Sequence, residues 1–253
     1  VWINGVVGMT QVNGRRFRIA NTTTNTFELQ GVNSTGYTAY ASAGTAADVF
    51  EIASPFTESQ LYEIAFTQSA DVMYLVHEDV APRKLSRTGH TSWSLTDVDF
   101  TKGPFLDPNT TGTTLTPSNA ATGSRTITAS AVTGINSGSG FLTTDIGRQI
   151  HFNDGYGVIT ARASTTSITV NVTTAFANAN AITNWYLGAF SDTTGHPSCV
   201  TFFEQRLVFA GTTNQPQTIF FSRSGDYENM DANIGGTVAD DDAIIYTIAS
   251  NQV

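Results

Sequence analysis

The chain has 253 residues, a formal net charge of −9 and only 13% charged residues. This length allows one large β domain or two to three small ones. Because affinity for phosphate backbones comes largely from Lys and Arg, the acidic balance argues against a nucleic-acid-binding surface. The single cysteine, Cys199, excludes an intramolecular disulfide and a multi-cysteine zinc site, and its apolar neighbours predict a small buried side chain.

The first 50 residues predict a small β module. Strand signals lie at residues 1–3 and at residues 16–19, where charged and apolar side chains alternate. Asn13-Gly14, between these segments, is a turn signal. Residues 31–47 are rich in Gly, Ser, Thr and Ala, which predicts a long surface loop.

Residues 51–106 predict a propeller-like blade, one of the small antiparallel sheets that repeat around a β-propeller. Residues 57–64 are the best candidate for a short helix. The apolar run at residues 71–77 predicts a buried strand, with Leu75 in the core.

Residues 107–188 have their own apolar set and interrupt the blade-like units, which predicts an inserted β-barrel or sandwich. The segment 102–124 is rich in Gly, Pro, Thr and Asn and should be irregular. A tight turn anchored by Phe141 is expected at residues 141–148. Four strands are expected, at residues 125–129, 149–152, 157–161 and 167–172.

Residues 189–253 predict a second blade and the start of a third. Leu207 and Phe209 belong to a continuous apolar run, so both should be buried. Strands are expected at residues 200–203, 206–210, 218–222 and, as part of a further pair, 244–253. Since the chain starts and stops inside apparent strands, we expect it to be a piece of a longer polypeptide.

A short pattern recurs in the two blade-like units. Leu85-Ser86-Arg87-Thr88-Gly89 and Phe221-Ser222-Arg223-Ser224-Gly225 share the order apolar, Ser, Arg, hydroxyl, Gly. Each follows a hydrophobic strand and a Pro-marked loop, as in repeated propeller blades. We expect both glycines in equivalent tight turns and both arginines to tie adjacent blades together. The alternative is two unrelated β-meanders in a sandwich.

Residues suited to catalysis or metal binding are scattered. The four histidines, at positions 77, 90, 151 and 196, lie outside metal-ligand spacing of one another. Asp231 and the run Asp240-Asp241-Asp242 are the densest acidic feature, but they lack the alternating oxygen ligands of a calcium loop. Because nucleophile and dinucleotide motifs are also absent, we expect no enzymatic activity, cofactor or metal. No apolar stretch is long enough to predict membrane insertion.

The beginning of the chain resembles a known phage module. The stretch GVVGMTQVNGR at residues 5–15, followed by NTFEL at residues 25–29, is similar to a small β module of phage virion proteins. That module is named after the first catalytic cysteine half-domain of ubiquitin-activating enzymes. The name implies no shared activity, because residues 1–50 contain no cysteine.

A second resemblance covers most of the chain. Residues 69–77, the series from His196-Pro197 to Gly211, and Ser-Arg-Ser-Gly-Asp-Tyr at residues 222–227 resemble the tail tubular protein B, or nozzle, family of short-tailed bacteriophages. Residues 141–185 are similar to an insert common in that family. The residues that carry the structural motif are Asp71, Arg87, Gly89, His196, Pro197, Arg206, Arg223, Gly225, Asp226 and Tyr227.

The resemblance implies an all-β, partly propeller-like platform in a structural virion protein. Such a protein forms a ring, here expected to be hexameric, around the tail channel, and contacts the tail adaptor and other tail proteins. It is assembled in the host cytoplasm and resides in the virion tail. Duplex DNA would pass without specific binding, so we place Asp231 and Asp240–Asp242 on the lumen face; the alternative is an outward, solvated loop. Nozzle proteins are much longer, so this chain would be an internal portion.

Two other functions stay open. A tail-associated carbohydrate- or receptor-binding module would use exposed aromatic side chains, for which Trp2, Tyr37, Tyr40 and Tyr156 are candidates. A capsule-degrading enzyme would need a carboxylate pair in a groove, and the scattered acidic residues nominate none.

Overall fold

The computed structural model describes residues 1–248, and within them the regular structure is β-strand apart from four single helical turns. The expected all-β class is therefore confirmed. No helix in this part of the chain is long and apolar enough to span a membrane. The chain divides into two compact units, one of residues 1–53 and one that starts at Ser54. The helical turns are Thr10–Val12, Glu58–Gln60, Asn136–Gly138 and Thr143–Asp145.

The first unit contains a three-stranded sheet and a separate hairpin. Its strands are β1 (Trp2–Val7), β2 (Arg15–Arg16), β3 (Ile19–Ala20), β4 (Glu28–Leu29) and β5 (Ser42–Ala47). The sheet order is β2-β1-β5, and β3 pairs with β4. The strand expected at residues 16–19 is thus split in two, and the one at residues 1–3 extends to Val7.

The surface loop expected at residues 31–47 is wrong in its last third. Strand β5 pairs along β1 from Ala47 opposite Trp2 to Ser42 opposite Val7. At Gly44 the strands lie too close for a side chain, because a Cβ there would be 2.5 Å from Cγ2 of Val6. All six residues are exposed, so no burial periodicity marked this strand in the sequence.

The second unit begins with a four-stranded antiparallel meander. Its strands, in spatial and sequence order, are β6 (Ala65–Ser69), β7 (Val72–His77), β8 (Val80–Gly89) and β9 (Ser92–Asp97). The helix candidate before it is a single turn, Glu58–Gln60. Leu75 is only half-buried, and Tyr74 and Val76 point into the core instead. Side chains alternate between the two faces of a strand, and the continuous run puts apolar residues on both faces of β7. The sequence therefore did not show which face points inward.

A six-stranded sheet follows, made of residues from the predicted insert. Its strands are β10 (Leu115–Pro117), β11 (Gly123–Ala129), β12 (Gln149–Phe152), β13 (Gly155–Ser164), β14 (Ser167–Thr174) and β15 (Trp185–Leu187), in the order β10-β11-β14-β13-β12-β15. All four expected strands are present. Strand β10 lies in a segment expected to be irregular, where Thr and Pro left no apolar alternation.

The six-stranded sheet is curled into a half-barrel around its own core. Register shifts in β13 bend the sheet, as β-bulges do. An isolated bridge between Leu115 and Ile182 joins β10 to the segment before β15, so the two edges approach each other. Phe141 anchors the expected turn and is fully buried. The other large core side chains are Leu115, Ile127, Ile135, Ile150, Phe152, Ile159, Ile168, Phe176, Trp185 and Leu187.

The last sheet is a second four-stranded antiparallel meander. Its strands, again in sequential order, are β16 (Cys199–Phe203), β17 (Arg206–Ala210), β18 (Thr218–Phe221) and β19 (Ile244–Thr247). Leu207 and Phe209 are fully buried, as expected. Cys199 is exposed, so its predicted burial is wrong; it lies on the outward face of the edge strand β16. The strand pair expected at residues 244–253 extends beyond the described residues.

The two meanders share one hydrophobic core. Tyr74 and Val76 of β7 belong to the same cluster as Leu207 and Phe209 of β17 and Phe220 of β18. Four sequential antiparallel strands are the unit of a propeller blade, so the partly propeller-like platform is present as these two sheets.

Candidate functional site

The recurring Ser-Arg-hydroxyl-Gly pattern forms the end of the third strand, β8, in the first meander and directly follows the third strand, β18, in the second. Gly89 pairs with Ser92 and closes the short β8–β9 hairpin. Gly225 has a left-handed φ of 74° and lies in a turn bridged by Arg223 and Asp226. The two glycines therefore occupy the same topological place in differently shaped turns: one closes a hairpin, and the other opens the long connection to β19.

The arginines of the pattern bind carboxylates within their own meanders. Arg87 Nη1 lies 3.3 Å from Asp71 Oδ1, and its guanidinium lies over the Trp93 ring. Arg223 Nη2 lies 2.6 Å from Asp241 Oδ2, and this bond lowers the pKa of the Asp241 carboxyl. The expectation that these arginines tie adjacent blades is wrong. Asp71 lies in the turn between β6 and β7, and Asp241 lies in the connection between β18 and β19, so each arginine binds a carboxylate of its own meander.

One polar tie between the meanders is the carboxylate of Glu228, which sequence reasoning missed. Glu228 accepts hydrogen bonds from Lys84 Nζ and, at 3.0 Å, from the Tyr74 hydroxyl. The backbone carbonyl of Glu228 accepts from the N–H of Thr101. Burial and the nearby Glu228 raise the pKa of Tyr74 above its ordinary value. Nothing in the local pattern around Glu228 signals these partners, because they lie in distant strands.

Arg206 is a buried clamp on the connection between β18 and β19. Its guanidinium donates to the backbone carbonyls of Ser222, Asp242 and Asp240, each at 2.6 Å. Ser222 in turn accepts a hydrogen bond from Leu207 N–H. The Arg of the nozzle-like series therefore has a structural role in this fold.

The remaining motif residues also make packing contacts. His196 is buried. Its backbone N–H donates to the backbone carbonyl of Glu78, and its ring Nε2 lies 2.9 Å from Asp192 Oδ1. Pro197 is buried beside it. Asp226 accepts from the amide of Asn229, and Tyr227 packs edge-on against Phe202.

The acidic cluster Asp231, Asp240, Asp241 and Asp242 is partly neutralised. Asp231 pairs with Lys102 at 3.0 Å, and Arg223 contacts both Asp241 and Asp242. Asp242 is buried, and its Oδ2 accepts from Ala239 N–H. Within residues 1–248, no group of three His, Cys, Asp or Glu side chains could hold a metal ion.

His151 of β12 is buried in an aromatic setting. Its ring lies 5.5 Å from the rings of Phe105 and Tyr186, measured between centroids. Burial, assisted by the positive charge of Lys102, lowers the pKa of His151 to about 4. The histidine is therefore neutral at physiological pH.

Two adjoining cavities, with volumes of about 380 Å³ and about 410 Å³, lie where the half-barrel meets the meanders. Arg148 lines the first cavity and His196 the second, and each carries a buried nitrogen without a hydrogen-bond partner in the described part of the chain. The aromatic candidates for sugar binding do not line either cavity: Tyr156 lies beneath Lys102, and Trp2, Tyr37 and Tyr40 belong to the first unit. Sequence reasoning therefore missed both cavities.

A scan of the chain against protein-family models and a search of curated proteins found no match.

Proposed function

We propose that this chain is a structural virion protein, part of the tail nozzle of a short-tailed phage. The proposal rests on its sequence resemblance to that family, and one structural observation supports it most: the nozzle-like motif residues have packing roles around the shared core of two blade-like meanders. Arg206 binds backbone carbonyls, and His196 is buried at the start of the second meander. In this proposal the chain is not an enzyme.

In the proposed assembly, copies of the chain form a hexameric ring in the virion tail, after assembly in the host cytoplasm. The ring contacts the tail adaptor and other tail proteins. Duplex DNA passes through the ring without specific binding. In this proposal the chain itself does not insert into a membrane. A net charge of −9 supports this role, because each cation that binds a phosphate would add affinity and slow the passage of DNA.

In this proposal the acidic cluster lies on the lumen face of the ring. Repulsion acts over a Debye length, ~8 Å at physiological salt, so only charges near the DNA path contribute. Asp240 is the member whose carboxylate has no cationic partner in the described chain, and it is exposed. It would therefore supply most of the repulsion from this cluster.

Particle imaging of the purified chain tests the assembly. A six-fold ring is the expected result. A trimer would favour a fibre or spike, and a particle that stays monomeric at high concentration would contradict a ring built by this chain alone.

DNA retention tests the channel. Filter binding of duplex DNA at low salt should detect no tight complex with the unaltered chain. In assembled rings, Asp240→Arg should increase DNA retention more than Glu58→Arg, which makes the same change of charge at an exposed site in the turn before β6. Equal effects of the two variants would place the acidic cluster away from the lumen.

A further inference from the structure

Each meander carries apolar side chains on both of its faces. The inner faces, with Tyr74 and Val76 in the first meander and Leu207 and Phe209 in the second, meet in the shared core. Because side chains alternate along a strand and directly paired residues share a face, the residues of the opposite, outer faces follow from the strand registers. The outer face of the first meander carries Phe66, Met73, Leu75, Leu85 and Leu95. The outer face of the second carries Val208, Ile219, Phe221, Ile244 and Tyr246.

The two outer faces lack a partner in the described part of the chain. Phe66 is 63% exposed and Tyr246 is 61% exposed, and no outer-face residue belongs to a hydrophobic cluster of residues 1–248. The exposed strand residues of the second outer face are all uncharged: Cys199, Thr201, Phe203, Ile244 and Tyr246. An exposed apolar sheet face of this kind marks an interaction surface, and the missing charge favours an apolar partner.

The two outer faces have opposite hand. In a strand of L-residues, the neighbouring strand to which a residue's backbone hydrogen-bonds fixes the face on which its side chain stands. The carbonyl of Asp71 accepts from Arg87 N–H, so Asp71 and Leu75, two places apart on each step, hydrogen-bond toward the third strand and mark the outer face of the first meander. The carbonyl of Leu207 accepts from Ser222 N–H, so the residues that hydrogen-bond toward the third strand mark the inner face of the second meander.

The contact inside the chain is therefore a contact between unlike faces. The inner face of the first meander has one hand, and the inner face of the second meander has the other. The two outer faces are again an unlike pair, so their contact repeats a packing that the chain already uses. A second copy of the chain supplies the matching face for each of them.

We propose that copies of this chain associate through these surfaces, with the outer face of the first meander in one copy packed on the outer face of the second meander in the next. Because two different surfaces meet, the contact is heterologous, and each copy keeps one surface of each kind for a further neighbour. Such contacts build a ring where the rotation between copies closes. This inference rests on the proposed function for the ring and adds the surfaces that join its copies.

Sedimentation of the whole chain over a range of concentrations tests the two surfaces. Phe66→Arg blocks the first outer face and Tyr246→Arg blocks the second, at side chains that are more than half exposed. Each variant alone should associate at least about tenfold more weakly than the unaltered chain, because the contact would bury an unpaired charge. An equal mixture of the two variants should form a 1:1 complex and nothing larger, since it retains one usable surface of each kind.

The matched control is Ile146→Arg, at an exposed apolar residue of the half-barrel outside both faces, which should associate like the unaltered chain. If Phe66→Arg or Tyr246→Arg fails to fold, Trp93→Arg or Ile244→Arg blocks the same face. The proposal is overturned by an unaltered chain that stays monomeric, by unchanged association of the variants, or by a mixture without the 1:1 complex.

Imaging of the same particles separates this proposal from the proposed function. A six-fold ring that persists in both variants would refute the two surfaces and leave the nozzle ring standing. Association that depends on both surfaces but never closes into a six-fold ring would support the surfaces and contradict the hexameric ring.

Discussion

Lys84 Nζ lies 2.7 Å from Oε1 and 2.8 Å from Oε2 of Glu228, and this ion pair joins the two meanders. Lys84 belongs to β8, and Glu228 follows the turn after β18. Both side chains are about three-quarters buried, so the pair is shielded from solvent more than a surface ion pair. The Tyr74 hydroxyl donates to the same carboxylate.

Glu228→Gln should lower the free energy of unfolding by about 1–3 kcal/mol, because Lys84 would keep a shielded charge without its counter-charge. Urea denaturation measures the change. The control is Asp97→Asn, which removes the exposed partner of Arg83 and should cost under about 1 kcal/mol. Equal losses in the two variants would show that the ion pair between the meanders contributes no more to stability than an exposed ion pair.

Phe209→Ala should destabilise the shared core by about 3–5 kcal/mol, because the fully buried ring packs against Phe100 and Phe190 and its removal leaves a cavity. Phe203→Ala, in the neighbouring strand, removes a ring that is 56% exposed and should change stability by under about 0.5 kcal/mol. Thermal or urea unfolding of both variants checks the contrast. A small effect at Phe209 would refute its role as a core anchor.

Arg206→Lys should cost about 2–3 kcal/mol, because an ammonium group cannot reproduce three hydrogen bonds from a planar guanidinium. Arg125 also makes three bonds to backbone carbonyls, but these bonds are exposed to solvent. Water can replace those bonds, so Arg125→Lys should stay within about 0.5 kcal/mol. Urea unfolding decides, and similar losses at the two sites would mean that burial of Arg206 is unimportant.

Stability should fall on acidification through His151. Its pKa is lowered from 6.5 to about 4 in the folded protein, chiefly by burial. Between these values the unfolded chain binds a proton that the folded chain does not, so the free energy of unfolding decreases as pH falls. His151→Phe should flatten part of this decline, measured by urea unfolding at several pH values. An unchanged pH profile in His151→Phe would contradict this contribution.

The sequence predicted most strands where apolar residues mark a buried face. Strand β12 was expected with its observed limits, and β17 was found from its apolar run. Strand β5 was missed because small or hydroxyl-bearing residues form it and all six are exposed. Strand β10 was missed because it is only three residues long, although Leu115 and Pro117 in it are buried. The burial of Cys199 was predicted wrongly because the residues around it in the sequence are apolar. Strand β16 lies at the edge of its sheet and turns one face to solvent, and Cys199 lies on that face.

The candidate sites were less accessible to sequence reasoning. Lys84 and Glu228 are 144 residues apart, and no local pattern shows that two sheets bring them together. The free nitrogens of Arg148 and His196 depend on which of their hydrogen bonds the fold completes. By contrast, the buried state of Phe209 followed directly from its apolar neighbours.

The clamp formed by Arg206 makes the register of the last sheet independent of the length of the loop between β18 and β19. Its guanidinium holds Ser222 and Asp242, the two ends of the connection between β18 and β19. The chain between these ends can therefore lengthen without altering the pairing of Phe221 with Ile244. Doubling such a loop costs only about 0.6 kcal/mol in closure entropy. We therefore expect residues 232–238 to accept an inserted peptide tag while the sheet beneath keeps its form.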